Sequence, residues 1–145
     1  MAQLQPDHEA VHLIHGYQDG PRTGIADYQG HPHWFECIFD DEQDDYSDRY
    51  WLTPLDSAIV ELAKERFEIF FRWRKAFDSG QVDLSTHPAL PQEAQRHREL
   101  DDAIQEGVAA RSKQRFRVRG KFIPLSGPKR VKSSSRFQVR WFAAS

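Results

Sequence analysis

The chain has 145 residues, a formal net charge of −2, 39% hydrophobic and 12% aromatic residues, and a single cysteine, Cys37. That length and apolar content suit one domain with its own core, and no apolar run approaches the ~20 residues that span a bilayer. A lone cysteine excludes an internal disulfide and a thiolate-built zinc site; with a polar, acidic first nine residues that carry no secretion pattern, it predicts a cytoplasmic protein away from membranes.

Residues 1–9 read as a loose leader, and a β-rich stretch occupies 10–53. Residues 11–17 alternate as a strand with Val11, Leu13, His15 and Tyr17 on one face. The Asp19-Gly20-Pro21-Arg22 segment has turn chemistry and leads to a second strand over 23–29. Gly30 turns the chain into a third strand over 32–39, in which His33, Phe35, Cys37 and Phe39 alternate against Trp34, Glu36 and Ile38. With both faces largely apolar, this strand is expected to be central, and Cys37 is expected to be a packing thiol. The acidic run 40–48 reads as a solvated loop before a short strand over 49–52. It is not a calcium loop: counted from Asp41, the sixth and twelfth positions hold Tyr46 and Leu52 instead of Gly and Glu.

Two helices follow over 54–110. Thr53-Pro54-Leu55-Asp56 has the order of an N-cap, a proline at the first helical position and an acidic residue in the first turn. Ile59, Leu62, Ile69, Phe70, Trp73 and Phe77 then recur at helical spacing, and Gly80 ends the helix. The second helix is predicted over 91–110 with Leu100, Ile104 and Val108 on one side. Residues 114–125 and 135–142 read as two closing strands. The order β-β-β-β-α-α-β-β predicts a single α+β domain, with a bent antiparallel sheet or small open barrel packed on one long aromatic-rich helix.

Charge is distributed unevenly along this order. Residues 111–145 hold eleven Lys and Arg and no Asp or Glu. The chain's 20 basic and 22 acidic residues therefore leave 9 and 22 in residues 1–110, a −13 body beside a +11 segment. In the last two strands Phe116, Val118 and Phe122, then Phe137, Val139 and Trp141, are predicted to point inward. Arg115, Arg117, Arg119 and Lys121, then Arg136, Gln138 and Arg140, point outward, with Lys129, Arg130 and Lys132 in the connecting loop. Such a stripe repels itself unless anions cover it. It predicts a non-catalytic interaction module for an acidic protein or nucleic acid, through Arg115, Arg117, Arg119, Lys121, Lys129, Arg130, Lys132, Arg136 and Arg140. Two plainer readings stand beside it: edge strands carry cations to block aggregation, or the acidic body neutralises the stripe, within one molecule or between two copies in a homodimer.

An alternative is a small enzyme or ligand-binding barrel in which His15, Asp27, His31, His33 and Glu36 share a pocket. No HExxH or other full ligand set accompanies them, so no metal, cofactor or catalytic residue is assigned. Tyr17-x-Asp19-Gly20-Pro21-x-x-Gly24-Ile25-Ala26-Asp27-Tyr28-x-Gly30-x-Pro32-His33, followed by Trp34, Phe35 and Glu36, resembles a group of short bacterial proteins of unknown function. The acidic run, Leu52-Thr53-Pro54 and Thr86-His87-Pro88-Ala89-Leu90-Pro91 extend the resemblance over most of residues 11–100. It implies a stand-alone bacterial cytoplasmic domain and no particular site.

Overall fold

Antiparallel pairing carries the strands through a full circle. A computed structural model describes residues 4–125 and 136–144. Its strands are β1 (Glu9–Tyr17), β2 (Pro21–Tyr28), β3 (His31–Asp40), β4 (Asp45–Pro54), β5 (Phe116–Pro124) and β6 (Phe137–Ala143), with helices α1 (Ser57–Asp78) and α2 (Ala94–Ala110) between β4 and β5. The element order is the expected one and the fold is α+β. The sheet, however, is a closed barrel, β1 to β6 in sequence, instead of a bent sheet or open barrel. Closure comes from β1 meeting β6 at Glu9–Val139 and Ala10–Gln138. Strands and helices separate into two compact units, with Asp56–Ala109 forming the second.

The barrel fills its own interior. Val11, Ala26, Phe35, Cys37, Tyr50, Leu52, Val118 and Val139 are buried together, and Phe116, Phe122, Phe137 and Trp141 pack against them as the alternation predicts. Phe35 sits 4.9 Å from the Phe122 ring and 6.0 Å from Tyr50, centroid to centroid. The Trp141 indole N–H donates to the carbonyl of Asp27 at 2.8 Å, tying β6 to β2. Cys37 is buried, as expected, and its thiol donates to the carbonyl of Ser47.

Bulges explain where the simple alternation fails. Register shifts in β1, between Val11 and Leu13 and again between Ile14 and Gly16, bring Ile14 against the barrel core beside Val11, while Leu13 is buried outside that cluster, opposite Ile25. His15 and Tyr17, expected on the same face as Val11 and Leu13, are exposed instead. A shift between Cys37 and Phe39 likewise leaves Phe39 44% exposed. The acidic run is not a long loop: β3 and β4 pair as far as Asp40–Asp45, so its residues flank a tight hairpin tip.

Both ends of the expected helical region also move. Thr53 is buried in β4 opposite Trp34, and Pro54 pairs with His33, so strand pairing overrides the capping signal and Asp56 is the N-cap of α1. Gly80 does end α1, at φ 78°. Its N–H and that of Gln81 bond to the carbonyls of Phe77 and Ala76, a Schellman arrangement. Pro91 lies in a short 3₁₀ turn and α2 begins at Ala94. In the supposed leader, Glu9 already belongs to β1, and its carboxylate accepts the N–H groups of Gln29 and Gly30 at the β2–β3 turn.

Candidate functional site

The outward face of β4, β5 and β6 is where charge accumulates. Inward Tyr50 and Leu52 on β4, and inward Val118 on β5, turn Arg49, Trp51, Arg117 and Arg119 to the outside. Inter-strand register then places Trp51 opposite Arg117, Arg49 opposite Arg119, Arg119 opposite Phe142, and Lys121 opposite Arg140. Arg115 and Arg136 are exposed just ahead of β5 and β6. Like charges thus face each other across both strand pairs, which disfavours the bare sheet.

Part of this repulsion is relieved locally. Asp48 accepts from Arg119 at 2.8 Å, with both side chains about half exposed. Among the described residues it is the only carboxylate that pairs with this face. Within the helical unit Glu65 pairs with Arg96, Glu93 with Arg72, and Asp101 with Arg66. Aromatic rings take up three more guanidinium groups. Arg115 lies 4.0 Å over the Trp51 ring, Arg117 lies 5.6 Å from it, and Arg140 stands 4.9 Å over Phe142.

No family model, curated protein or solved structure matches the chain. What the face can do has to be read from its own residues.

Of the nine cations expected to form a site, Arg115, Arg117, Arg119, Lys121, Arg136 and Arg140 are exposed on one side of the barrel. Lys129, Arg130 and Lys132 lie outside the described residues. Gln138, expected to point outward with them, is fully buried. Its side-chain oxygen accepts the Gln5 N–H and its amide donates to the carbonyl of Pro124, because the segment ahead of β1 takes it up. Trp51, Arg49 and Phe142 join the site although the charge count did not point to them; the strict alternation around Trp51 was the available signal.

The histidine constellation does not converge. His33 is buried, donates to the carbonyl of His31 at 2.8 Å, and packs edge-on against Tyr28 and Phe116. Glu36 and His31 are exposed, and His15 lies on the outside against Trp34, 5.4 Å between centroids. Asp27 accepts from His12 at 2.7 Å. Rings on both faces of a sheet cannot reach one substrate.

The helical unit has a cavity of about 410 Å³ between the 85–89 loop and the start of α2, lined also by His97 and Arg98. Thr86 accepts the Trp73 indole N–H at 2.8 Å, and the His87 ring stands edge-on to Trp73. His97 is 6% exposed and its Nε2 has no hydrogen-bond partner among the described residues. Burial pushes its pKa below the ordinary 6.5, Arg66 and His87 add to the shift, and Asp101 opposes it. The unfolded chain therefore binds a proton that folded His97 refuses, so stability falls as pH drops through 6.5 towards the lowered folded value. His97→Leu should flatten the acid side of the stability profile. It should also stabilise the protein at pH 5, by on the order of 1 kcal/mol, because an unpaired buried polar atom is removed. Urea denaturation of both proteins at pH 5 and 7.5 checks this; parallel profiles would refute it.

Proposed function

We propose that the chain is a non-catalytic binding module that uses the outer face of β4, β5 and β6 to hold an anionic macromolecule. The observation that carries this reading is the register itself. Arg49 faces Arg119 and Lys121 faces Arg140, with one carboxylate, Asp48, paired to this face among the described residues. An anionic polymer laid across these pairs turns repulsion into attraction and releases its own counterions. Blocking aggregation at a sheet edge is a weaker explanation, because β5 is paired on both sides and has no edge.

A titration against labelled polyanions at 50 and 200 mM salt tests the proposal. If about five phosphates are engaged, a slope of about −0.7 per contact predicts that affinity falls about a hundredfold over that range. Absence of binding at the lower salt, or binding indifferent to salt, would remove the proposal.

A further inference from the structure

The chemistry of the partner follows from what lies between the cations. Resting on the binding reading above, we infer that this face takes single-stranded nucleic acid, with bases stacked on Trp51 and Phe142 and phosphates on the flanking cations.

Three features separate this partner from other polyanions. Trp51 on β4 and Phe142 on β6 stand on either side of β5, opposite Arg117 and Arg119 respectively. With strands about 4.8 Å apart and outward residues about 6.7 Å apart along a strand, the two rings are roughly 12 Å from each other. That spacing suits bases two nucleotides apart on one extended strand. Next, Phe142 is 38% exposed at the surface of a protein whose other β6 aromatics point inward. An exposed ring set among cations fits a ligand that brings both a flat apolar surface and negative charge. Lastly, Arg115 over Trp51 and Arg140 over Phe142 hold these rings in place of a base. A cation–π contact at an exposed site is weaker than base–aromatic stacking. A base can therefore displace the guanidinium, which then turns to the adjoining phosphate.

A duplex keeps its bases stacked on one another and offers the rings nothing. An acidic protein supplies carboxylates for the arginines but gives Trp51 and Phe142 no matching flat surface. Single-stranded nucleic acid uses both halves of the site, and because every base has a π-face the binding is tolerant of sequence.

The test compares a thymidine 15-mer with linear polyphosphate, poly-glutamate and a 15-base-pair duplex, all competing for the wild-type protein at 50 mM salt. The oligonucleotide is expected to bind at least about tenfold more tightly than the other three. Trp51→Leu combined with Phe142→Ala should weaken it by a further 10- to 100-fold and leave polyphosphate affinity unchanged. Unchanged polyphosphate binding also shows that the variant is folded and its cations are in place. Trp51→Phe, which keeps a ring, should retain most of the affinity. If polyphosphate, poly-glutamate or duplex competes as well as the oligonucleotide, or if removing both rings changes nothing, the single-strand inference falls while the polyanion reading stands. If none of the four binds, both fall.

Discussion

Replacing Arg117 and Arg119 together by glutamate is expected to lower polyanion affinity at least a hundredfold while the barrel stays folded. Each reversal changes two units of charge at the centre of the face. A pair of unit charges 4 Å apart in water is worth about 1 kcal/mol, so four units amount to about 4 kcal/mol before screening and about 3 kcal/mol after it. The fold should survive because both side chains are exposed and the lost Arg119–Asp48 pair is half solvated. Such pairs contribute about 1 kcal/mol at most. Glutamate at 119 would also sit opposite Arg49 and relieve the existing repulsion there. Lys75→Glu with Arg98→Glu, two exposed cations of the helical unit, gives the same net charge and should leave binding almost intact. Equal losses in the two double variants would show that overall charge matters and the face does not.

Gly24→Ala should destabilise the barrel by about 3 kcal/mol or more. A Cβ at residue 24 would lie 2.3 Å from the carbonyl oxygen of Leu13 and 2.8 Å from two carbons of the Phe35 ring. Overpacking usually costs about 1–3 kcal/mol, and here one obstacle is backbone on the paired strand, which cannot rotate away. Any shift would loosen the β1–β2 ladder beside Ile14. Against a total stability of about 5–15 kcal/mol, that is a large fraction. Phe35→Leu separates the two obstacles, since leucine can yield around a new methyl group while the Leu13 carbonyl stays. The double variant should recover only part of the loss relative to Phe35→Leu alone, as read from chemical denaturation. Full recovery would mean that the ring is the sole obstruction.

How far the molecule was legible in its sequence depended on the range of the interactions involved. Alternation in β5 and β6 placed Phe116, Val118, Phe122, Val139 and Trp141 correctly, because period two is a local property of extended chain. It failed at His15, Tyr17 and Phe39, where bulges set by the neighbouring strand shift the faces. Thr53 and Pro54 carried a sound capping signal that lost to pairing with Trp34 and His33, partners nineteen and twenty-one residues away. Closure was illegible for the same reason: the β1–β6 seam joins residues more than a hundred positions apart through two residue pairs. The cations of the candidate site were found by counting charge. Trp51 was overlooked, because its outward direction follows from Tyr50 and Leu52 turning in, and no composition count registers that.

Placing the two helices between β4 and β5 also has a consequence for synthesis. When the ribosome has delivered β1 to β4, the barrel is a four-stranded sheet whose two outer strands await β5 and β6. The 56–109 stretch must then be made before either partner emerges. At about 5–20 residues per second this leaves two bare edges for roughly 3 to 10 seconds. Unpaired edges recruit other chains. The aggregation-prone species is thus the growing chain itself, and rare codons within 56–109 would lengthen its exposure without altering any residue of the finished protein.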